Sequence, residues 1–469
     1  MSTPRTTPAN HATDPTTEQW RQGELVELEI HDLTDGGEGV GRFSERVVFV
    51  PDTVPGDRVS VRLVQVKPQY AQGKLMQIIE ASPNRIRPRC IVADKCGGCQ
   101  WQHIDYAYQL KAKRNQVIQA LERIGGFSEP PVEPILGAEA DLAYRNKATY
   151  PLGRSQSGQL QAGYYQKGSH QLINLNQCPI QDARLNPLLA EVKQDIYQRG
   201  WGIYDEKQHR GKVRHLGLRI GRRTGEILLI LVAKDANLSG LEDQAQEWLN
   251  RYPDLVGVSL NINPHKTNAI FGDETRCIAG QSYLNEKFGG LQFQIHATTF
   301  FQVYTEQAEA LLRKIISQLN LQGHETLIDA YCGVGTFTLP LAKRVKQAIG
   351  LELQPEAIAQ AQLNAELNGI KNVTFQAGAV EQVLRTLSVQ PDVVLLDPPR
   401  KGCDRAVLET LLQIQPQRIV YVSCKPATQA RDLKILCQEG KYRLIKAQPA
   451  DFFPQTAHVE CVAFLERQA

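Results

Sequence analysis

Apolar and polar positions change their period along the chain, and each change marks a different kind of element. Between residues 22 and 81 the apolar positions alternate. Val26, Leu28 and Ile30 are separated by charged residues, and Arg46-Val47-Val48-Phe49-Val50, Val59 to Val66 and Lys74 to Ile79 supply further short runs. This is the period of half-buried strands. Asp35-Gly36-Gly37-Glu38-Gly39-Val40-Gly41-Arg42 is glycine-rich but leads into a strand. A dinucleotide loop needs a helix N-terminus there, so turns and bulges are expected instead. Pro55-Gly56-Asp57 marks another turn. Several short strands in about sixty residues predict a small β-barrel of the OB type.

A helical period follows over Ile104 to Ile124, with Leu110, Val117, Leu121 and Ile124 on one side and Gly125-Gly126 as its end. This helix is expected to pack on a domain other than its sequence neighbours, and Pro130, Pro131 and Pro134 read as a linker. From Leu142 to about Phe293 short strands separated by Gly, Asn and Asp turns predominate, with helices near Asn186–Arg199 and Leu241–Arg251. The run from Ile227 to Ala233 suits a buried strand and is too short for a membrane span. From Thr298 strands alternate with helices, the pattern of a parallel α/β sheet.

The predicted architecture is therefore an α/β Rossmann-like domain over residues 296–469, preceded by an OB-like barrel over 22–81. A β-rich central domain takes 82–103 and 130–295, a helix packing on the catalytic domain takes 104–129, and residues 1–20 form a disordered tail. With 469 residues the chain is too long for one core. It is 42% hydrophobic and 22% charged and opens with no basic-then-apolar signal, so a cytoplasmic protein without membrane contact is expected. A net charge of +3 is too mild to imply nucleic acid. Its distribution is more suggestive: Arg210, Lys212, Arg214, Arg219, Arg222 and Arg223 crowd one strip, which would suit either phosphate neutralisation or a solvated hairpin face. Tyr144-Arg145-Asn146-Lys147 and Gly163-Tyr164-Tyr165 mix aromatics with cations, a composition suited to base stacking and equally to strand surfaces.

Ten cysteines in so long a chain do not describe a disulfide scaffold. Cys90, Cys96 and Cys99, spaced C-x5-C-G-G-C, with Cys178-Pro179 later, form a set able to bind zinc or an iron–sulfur cluster. The missing second CxxC and the Cys-Pro favour a [4Fe–4S] cluster. The spacing lacks the C-x3-C-x2-C of radical enzymes that use S-adenosylmethionine. In the C-terminal region, Thr326-Leu327-Ile328-Asp329 reads as a strand, residues 330–335 as a tight glycine loop, and Thr336 to Ala342 as a helix start. A second strand ends in Glu352, placed to accept hydrogen bonds from ribose hydroxyls. Position 338 is Thr where a dinucleotide site prefers glycine. Leu395-Leu396-Asp397-Pro398-Pro399-Arg400 then points to S-adenosylmethionine, and Arg400 replaces the aromatic residue of exocyclic-amine methyltransferases. Finally, Ile419-Val420-Tyr421-Val422-Ser423 runs into Cys424, with Pro426 expected to end regular structure.

Gly-Gly-Glu-Gly-Val-Gly-Arg and the stretch from Val47 to Asp57 resemble a TRAM domain, an RNA-binding module. Thr299 to Val303, the loop from Asp329 to Ala342, Asp397 to Cys403, Val422 to Pro426 and His458 to Leu465 resemble the uracil-5-methyltransferase family acting on RNA. With the barrel and four cysteines, the layout is similar to the branch that modifies 23S ribosomal RNA. Lys425 departs from it, since Asn is commoner there. The resemblance implies Cys424 as nucleophile and Glu460 as proton acceptor. It implies S-adenosylmethionine contacts at Gln302, Tyr331, Glu352 and Asp397, and cluster ligands at Cys90, Cys96, Cys99 and Cys178. It also implies an RNA partner, with no obligate protein partner and a monomer expected. Cys332 and Cys403 are rival thiols, Cys403 the better. A transfer-RNA uridine, cytosine C5, and RNA binding without turnover are the competing readings.

Overall fold

The computed structural model describes residues 20–468, which divide into two compact units at Ile86 and Arg87. In the first, β1 (Leu25–Leu33), β2 (Gly39–Phe43), β3 (Arg46–Val50), β4 (Arg58–Val66) and β5 (Tyr70–Glu80) close into a barrel of order β1-β2-β3-β5-β4. The alternation sends Val26, Leu28 and Ile30 into a core shared with Val48, Val50, Val59, Val61 and Leu63. Closure needs a bare backbone at Gly73, where a Cβ would sit 2.2 Å from Val61.

Both ends of this unit differ from expectation. Residues 1–19 of the expected tail lie outside the described residues, but Trp20 is buried, its ring 6.2 Å from Phe43 with the Arg46 guanidinium 5.2 Å above it. An aromatic ring packed into the barrel core is not part of a disordered tail. At the other end, buried Asp57 accepts the Ser82 N–H at 2.9 Å and Arg85 Nε at 3.1 Å. These bonds hold residues 82–86 to the barrel, where the sequence suggested the start of the central region.

The second unit opens with α1 (Tyr106–Arg123). There follow β6 (Lys147–Arg154), β7 (Leu160–Tyr165), β8 (Leu172–Asn174), α2 (Asn186–Gln198), β9 (Val213–Ile220), β10 (Ile227–Ala233), α3 (Leu241–Arg251), β11 (Leu255–Ile262) and β12 (Glu274–Gly280). Their strands form a sheet of order β12-β11-β10-β9-β6-β7-β8. β10 is buried at every position, as its apolar run predicts. Leu229 and Leu231 enter one core, and Leu228, Ile230 and Val232 enter the other. A hairpin of β13 (Tyr283–Phe288) and β14 (Leu291–His296) comes next. Expected within the central region, it packs Leu284, Phe288 and Phe293 against Phe301 and Phe337, because its alternating apolar positions face the α/β core.

The remainder is α4 (Thr305–Leu319), β15 (Thr326–Ala330), α5 (Thr338–Ala342), β16 (Gln347–Glu352), α6 (Pro355–Leu367), β17 (Val373–Ala377), α7 (Val380–Thr386), β18 (Val393–Leu396), α8 (Arg405–Ile414), β19 (Arg418–Ser423), α9 (Pro426–Cys437), β20 (Tyr442–Ala450) and β21 (Glu460–Arg467). The sheet order is β17-β16-β15-β18-β19-β21-β20. β15 to β19 run parallel, and β21 is antiparallel to both its neighbours. Strand order reverses between β15 and β18, so their carboxyl ends flank the crevice where open α/β sheets bind ligands. Pro426 does not end regular structure; it opens α9 at a position where its missing N–H costs nothing.

The stripe that α1 buries is Gln109, Lys113, Val117 and Leu121, while Ile124 stays 42% exposed. The helix packs on α9 and β20. The proline-rich stretch after it, expected as a linker, lies along β20 through parallel bridges Val132–Ala447 and Leu136–Ala450. No helix among the described residues is long and apolar enough to cross a membrane.

Candidate active site

The carboxyl edge of the second sheet carries a glycine loop. Beyond β15, Tyr331 takes φ 78°, an unfavourable value for an aromatic residue, and its N–H donates to Leu351 O at 2.9 Å. Gly333 follows at φ 54° and Gly335 at φ 85°. A Cβ built on Gly333 would meet nothing within 4 Å, so this backbone stays open to a ligand. Glu352 closes β16 and accepts the Gly333 N–H at 3.2 Å and the Gln354 N–H at 3.0 Å. Beneath the loop, Asp329 Oδ2 accepts from Thr338 Oγ1 at 2.5 Å, whereas its buried Oδ1 has no partner. Burial pushes this carboxyl up to about 7 against the Thr338 bond, and the Glu352 charge adds to the rise. An open glycine backbone, an acid at the end of the second strand and an unpaired buried oxygen fit the amine and ribose hydroxyls of S-adenosylmethionine.

Gln302 is buried in the irregular stretch between β14 and α4. Asn364 on α6 ties this strand to the loop: Gln294 N–H donates to its Oδ1 at 2.8 Å and its Nδ2 donates to Val334 O at 3.2 Å. Sequence reasoning missed two side chains that hold the segment before Gln302. Buried Arg219 donates to His296 O and Thr299 O, both at 2.6 Å, and Asn146 Nδ2 donates to Gln302 O at 2.9 Å. Burial draws the Arg219 guanidinium down to about 10. Neither role left a local signal, because both partners are backbone carbonyls at least 77 residues away.

The last strand sets the chemistry. β21 runs antiparallel to β19 with Ser423 opposite Cys461. The next pair in this register is Cys424 and Glu460, one just past the end of β19 and the other opening β21. Asp397, just past the end of β18, is near enough for its charge to act on both. Cys424 is half-buried and Glu460 is buried. Burial, then the Glu460 charge, pushes the Cys424 thiol up to about 11, while Arg400 opposes the rise by its charge and a hydrogen bond. Burial and then Asp397 hold Glu460 well above the usual carboxylate range, again against Arg400. Burial and the Asp329 charge push Asp397 up to about 7. Arg400 is itself exposed, its Nη2 3.5 Å from His458 Nε2. One cation thus acts on a thiol and a buried carboxyl group, with a second carboxyl near both, an arrangement suited to covalent catalysis with proton transfer.

The rival thiols are packed away. Cys403 is buried and pushed up to about 12, first by burial, with Tyr421, Tyr331 and Asp432 around it. Cys332 lies under the loop, where a Cβ on Gly350 would come 2.9 Å from its sulfur, and burial raises it far above the usual thiol range.

Cys90, Cys96, Cys99 and Cys178 line one cavity of about 140 Å³. Among the described residues no group of three or more His, Cys, Asp or Glu side chains is arranged to hold a metal ion. The cavity is walled by Val92, Leu175 and Ile180 and backed by Tyr164. Gly98 N–H donates to Cys96 Sγ at 3.4 Å. Burial pushes Cys99 up to about 12, and the other three thiols add to the rise.

Most cations of the basic strip are held by partners within the chain, though only Arg214 and Arg219 are buried. Arg214 and Arg219 donate to backbone carbonyls, Arg222 pairs with Asp182 and Glu306, and Arg223 pairs with Glu309. Tyr144 and Asn146 are likewise buried, while Tyr165 remains exposed. The structural reading of these stretches accounts for most of their cations and aromatics.

Residues 105–468 match the family described as tRNA (Uracil-5-)-methyltransferase, and residues 19–76 match the TRAM domain. An uncharacterized RNA methyltransferase of Nostoc sp. is 72% identical over 95% of this chain and 97% of its own. Another, of Synechocystis sp., is 60% identical over 97% and 98%. Among solved structures, the tRNA (uracil-54, C5)-methyltransferase of Pyrococcus abyssi in complex with S-adenosyl-L-homocysteine superposes with a TM-score of 0.74 at 30% identity, covering 94% of this chain and all of that one. Glycine loop, acidic second strand and thiol–carboxyl pair thus sit in a chain that belongs to the RNA uracil-5-methyltransferase family: it is an S-adenosylmethionine-dependent RNA (uracil-5-)-methyltransferase with a TRAM domain.

Proposed function

We propose that the enzyme methylates a uridine of 23S ribosomal RNA at C5, with Cys424 as nucleophile and Glu460 as proton acceptor. The observation that supports the catalytic part of the reading is the β19–β21 register: continued by one pair beyond Ser423–Cys461 it brings Cys424 to Glu460, whose charge acts on the thiol. Uracil C5 is too weakly nucleophilic to attack a methyl sulfonium unaided. Cys424, which is partly exposed, gives its proton to solvent and bonds to C6 as thiolate; the C5–C6 π electrons move onto the ring carbonyl, leaving an enolate reactive at C5. Arg400 favours the thiolate over the thiol. S-adenosylmethionine, when bound, supplies the methyl cation that C5 takes up; Gln302, Tyr331, Glu352 and Asp397 would hold it. Glu460 then removes the C5 proton, the C6–sulfur bond breaks, and Cys424 leaves as thiolate with 5-methyluridine as product. Glu460 must be ionised to take that proton, and the Arg400 charge, which opposes the rise from burial and Asp397, favours the ionised form.

The four thiols around one cavity support a [4Fe–4S] cluster held by Cys90, Cys96, Cys99 and Cys178. Four thiolates this close would repel one another unless a cationic centre joined them, and amide donors such as Gly98 N–H suit cluster sulfurs. The reaction needs no redox step, so the role assigned to the cluster is structural. The proposed place of action is the cytoplasm.

A second reading, a transfer-RNA uridine, is favoured by the Pyrococcus abyssi enzyme, which acts on uracil 54 of tRNA and shares nearly the whole layout. Ribosomal and transfer RNA from a strain lacking the gene separate the two. Each is labelled with tritium at uridine C5 and incubated with enzyme and S-adenosylmethionine. Tritium release from 23S RNA with one mapped 5-methyluridine is expected. Release from transfer RNA alone would establish the second reading, and release from neither would leave RNA binding without turnover.

A further inference from the structure

Glu460 is delivered by the loop between β20 and β21, and almost every residue of this loop is buried. Asp451, Phe452, Gln455, Thr456, Ala457 and Val459 are each less than a tenth exposed. At its turn Gln455 takes φ 70°, which glycine would adopt more readily. A buried, strained turn needs an outside partner to hold it. That partner is α1 with the strand of chain just before it. Gln109 Oε1 accepts the Gln455 N–H at 3.0 Å, and Gln109 Nε2 donates to Gln455 Oε1 at 3.1 Å. The same Nε2 lies 3.1 Å from Trp101 O and 2.9 Å from Ile104 O. Trp101 N–H donates to Gln455 O at 3.0 Å. The backbone N–H, backbone C=O and side-chain oxygen of this one turn residue are therefore bound by residues 101–109, while its side-chain Nε2 donates to Asp141 Oδ2 at 2.9 Å.

We infer that Gln109 is a positioning residue for the proton-transfer step: with Trp101 it clamps Gln455 and so fixes where Glu460 stands relative to Cys424. The inference rests on the reading of Glu460 as the base. It also gives the cysteine-bearing segment a second task. Gln102 Oε1 accepts the Cys90 N–H at 3.1 Å on the cavity side, while Trp101 grips the base loop on the other. The residues assigned above to S-adenosylmethionine include neither Gln109 nor Gln455, so a loosened clamp should spare its binding and impair the last chemical step. Cys424 would still add to C6 and C5 would still be methylated. The C5 proton would leave slowly, and enzyme would remain bonded to methylated RNA.

Gln109→Leu and Gln455→Gly test this, the latter because glycine relaxes the turn while deleting only the side-chain bonds. Each is measured for thermal midpoint, S-adenosylmethionine affinity, kcat and the fraction of enzyme in a denaturation-resistant, methylated RNA adduct. Expected are affinity within about twofold of the parent, kcat lower by about tenfold or more, and a severalfold rise in adduct. Glu460→Gln is run in parallel and should accumulate the same adduct. If Glu460→Gln accumulates none, the base assignment fails. If Glu460→Gln accumulates adduct but folded Gln109→Leu does not, or loses activity only in proportion to its stability, the positioning role of Gln109 is overturned; Gln455→Gly, which also loses the bond to Asp141, should show the same adduct if the turn is what matters.

Discussion

At the scale of single residues, the site is governed by one exposed cation among groups that burial pushes toward their neutral forms. Glu460 raises the Cys424 thiol and Arg400 lowers it. Replacing Glu460 by Gln removes the anion that opposes thiolate formation, so the thiol pKa falls from about 11. Adduct formation with RNA carrying 5-fluorouridine is then expected to move to lower pH, by about one unit. Arg400→Gln should move it the opposite way and slow it; stopped-time gel assays across pH 6 to 10, as an approximate working range, would read both shifts. Cys424→Ala should abolish turnover, whereas Cys403→Ala should retain most of it, since Cys403 is enclosed by Tyr331, Tyr421 and Asp432. The sequence singled out Cys424 by its place after a strand. It could not single out Glu460 without a family resemblance, because a carboxylate opening a final strand has no local mark of function.

Among elements, α1 shows where hydrophobic periodicity falls short. Its buried stripe is half polar: Val117 and Leu121 pack as expected, but Gln109 and Lys113 continue the stripe and meet the loop before β21. Lys113 Nζ lies 2.5 Å from Asp451 Oδ1 and donates to Phe453 O at 2.9 Å, with both charged side chains fully enclosed. A pattern search discards such residues as solvent-facing, because a buried Lys is tolerated only when paired. Lys113→Met leaves Asp451 unpaired and is expected to cost about 3–5 kcal/mol in denaturant unfolding; Lys113→Met with Asp451→Leu should recover much of it. α9 teaches a related point. Pro426 was legible as a boundary, yet which side of it held the helix depended on Lys425 taking an extended conformation at the cap.

On the scale of the molecule, the thiol cavity joins cysteines from two stretches 79 residues apart. Anaerobically purified protein is expected to be brown, to carry about four irons and to bleach in air. Cys178→Ala should lose the colour, and a colourless, zinc-bearing parent would refute the cluster. The sequence alone determined the barrel, through strict alternation at Val26, Leu28 and Ile30, and the parallel α/β sheet, through apolar runs punctuated by glycine and acids. It also determined the glycine loop and Glu352, because those features are contiguous or close in the chain and their chemistry is local. Tertiary structure alone decided that the β13–β14 hairpin joins the catalytic core, that Arg219 and Asn146 hold the segment before Gln302, and that most cations of the basic strip are held by partners within the chain. It decided, above all, that Cys424 faces Glu460. An antiparallel final strand reverses direction over a buried loop, so two residues 36 apart in sequence become cross-strand neighbours. Register is a property of pairing between strands, and neither strand carries it by itself.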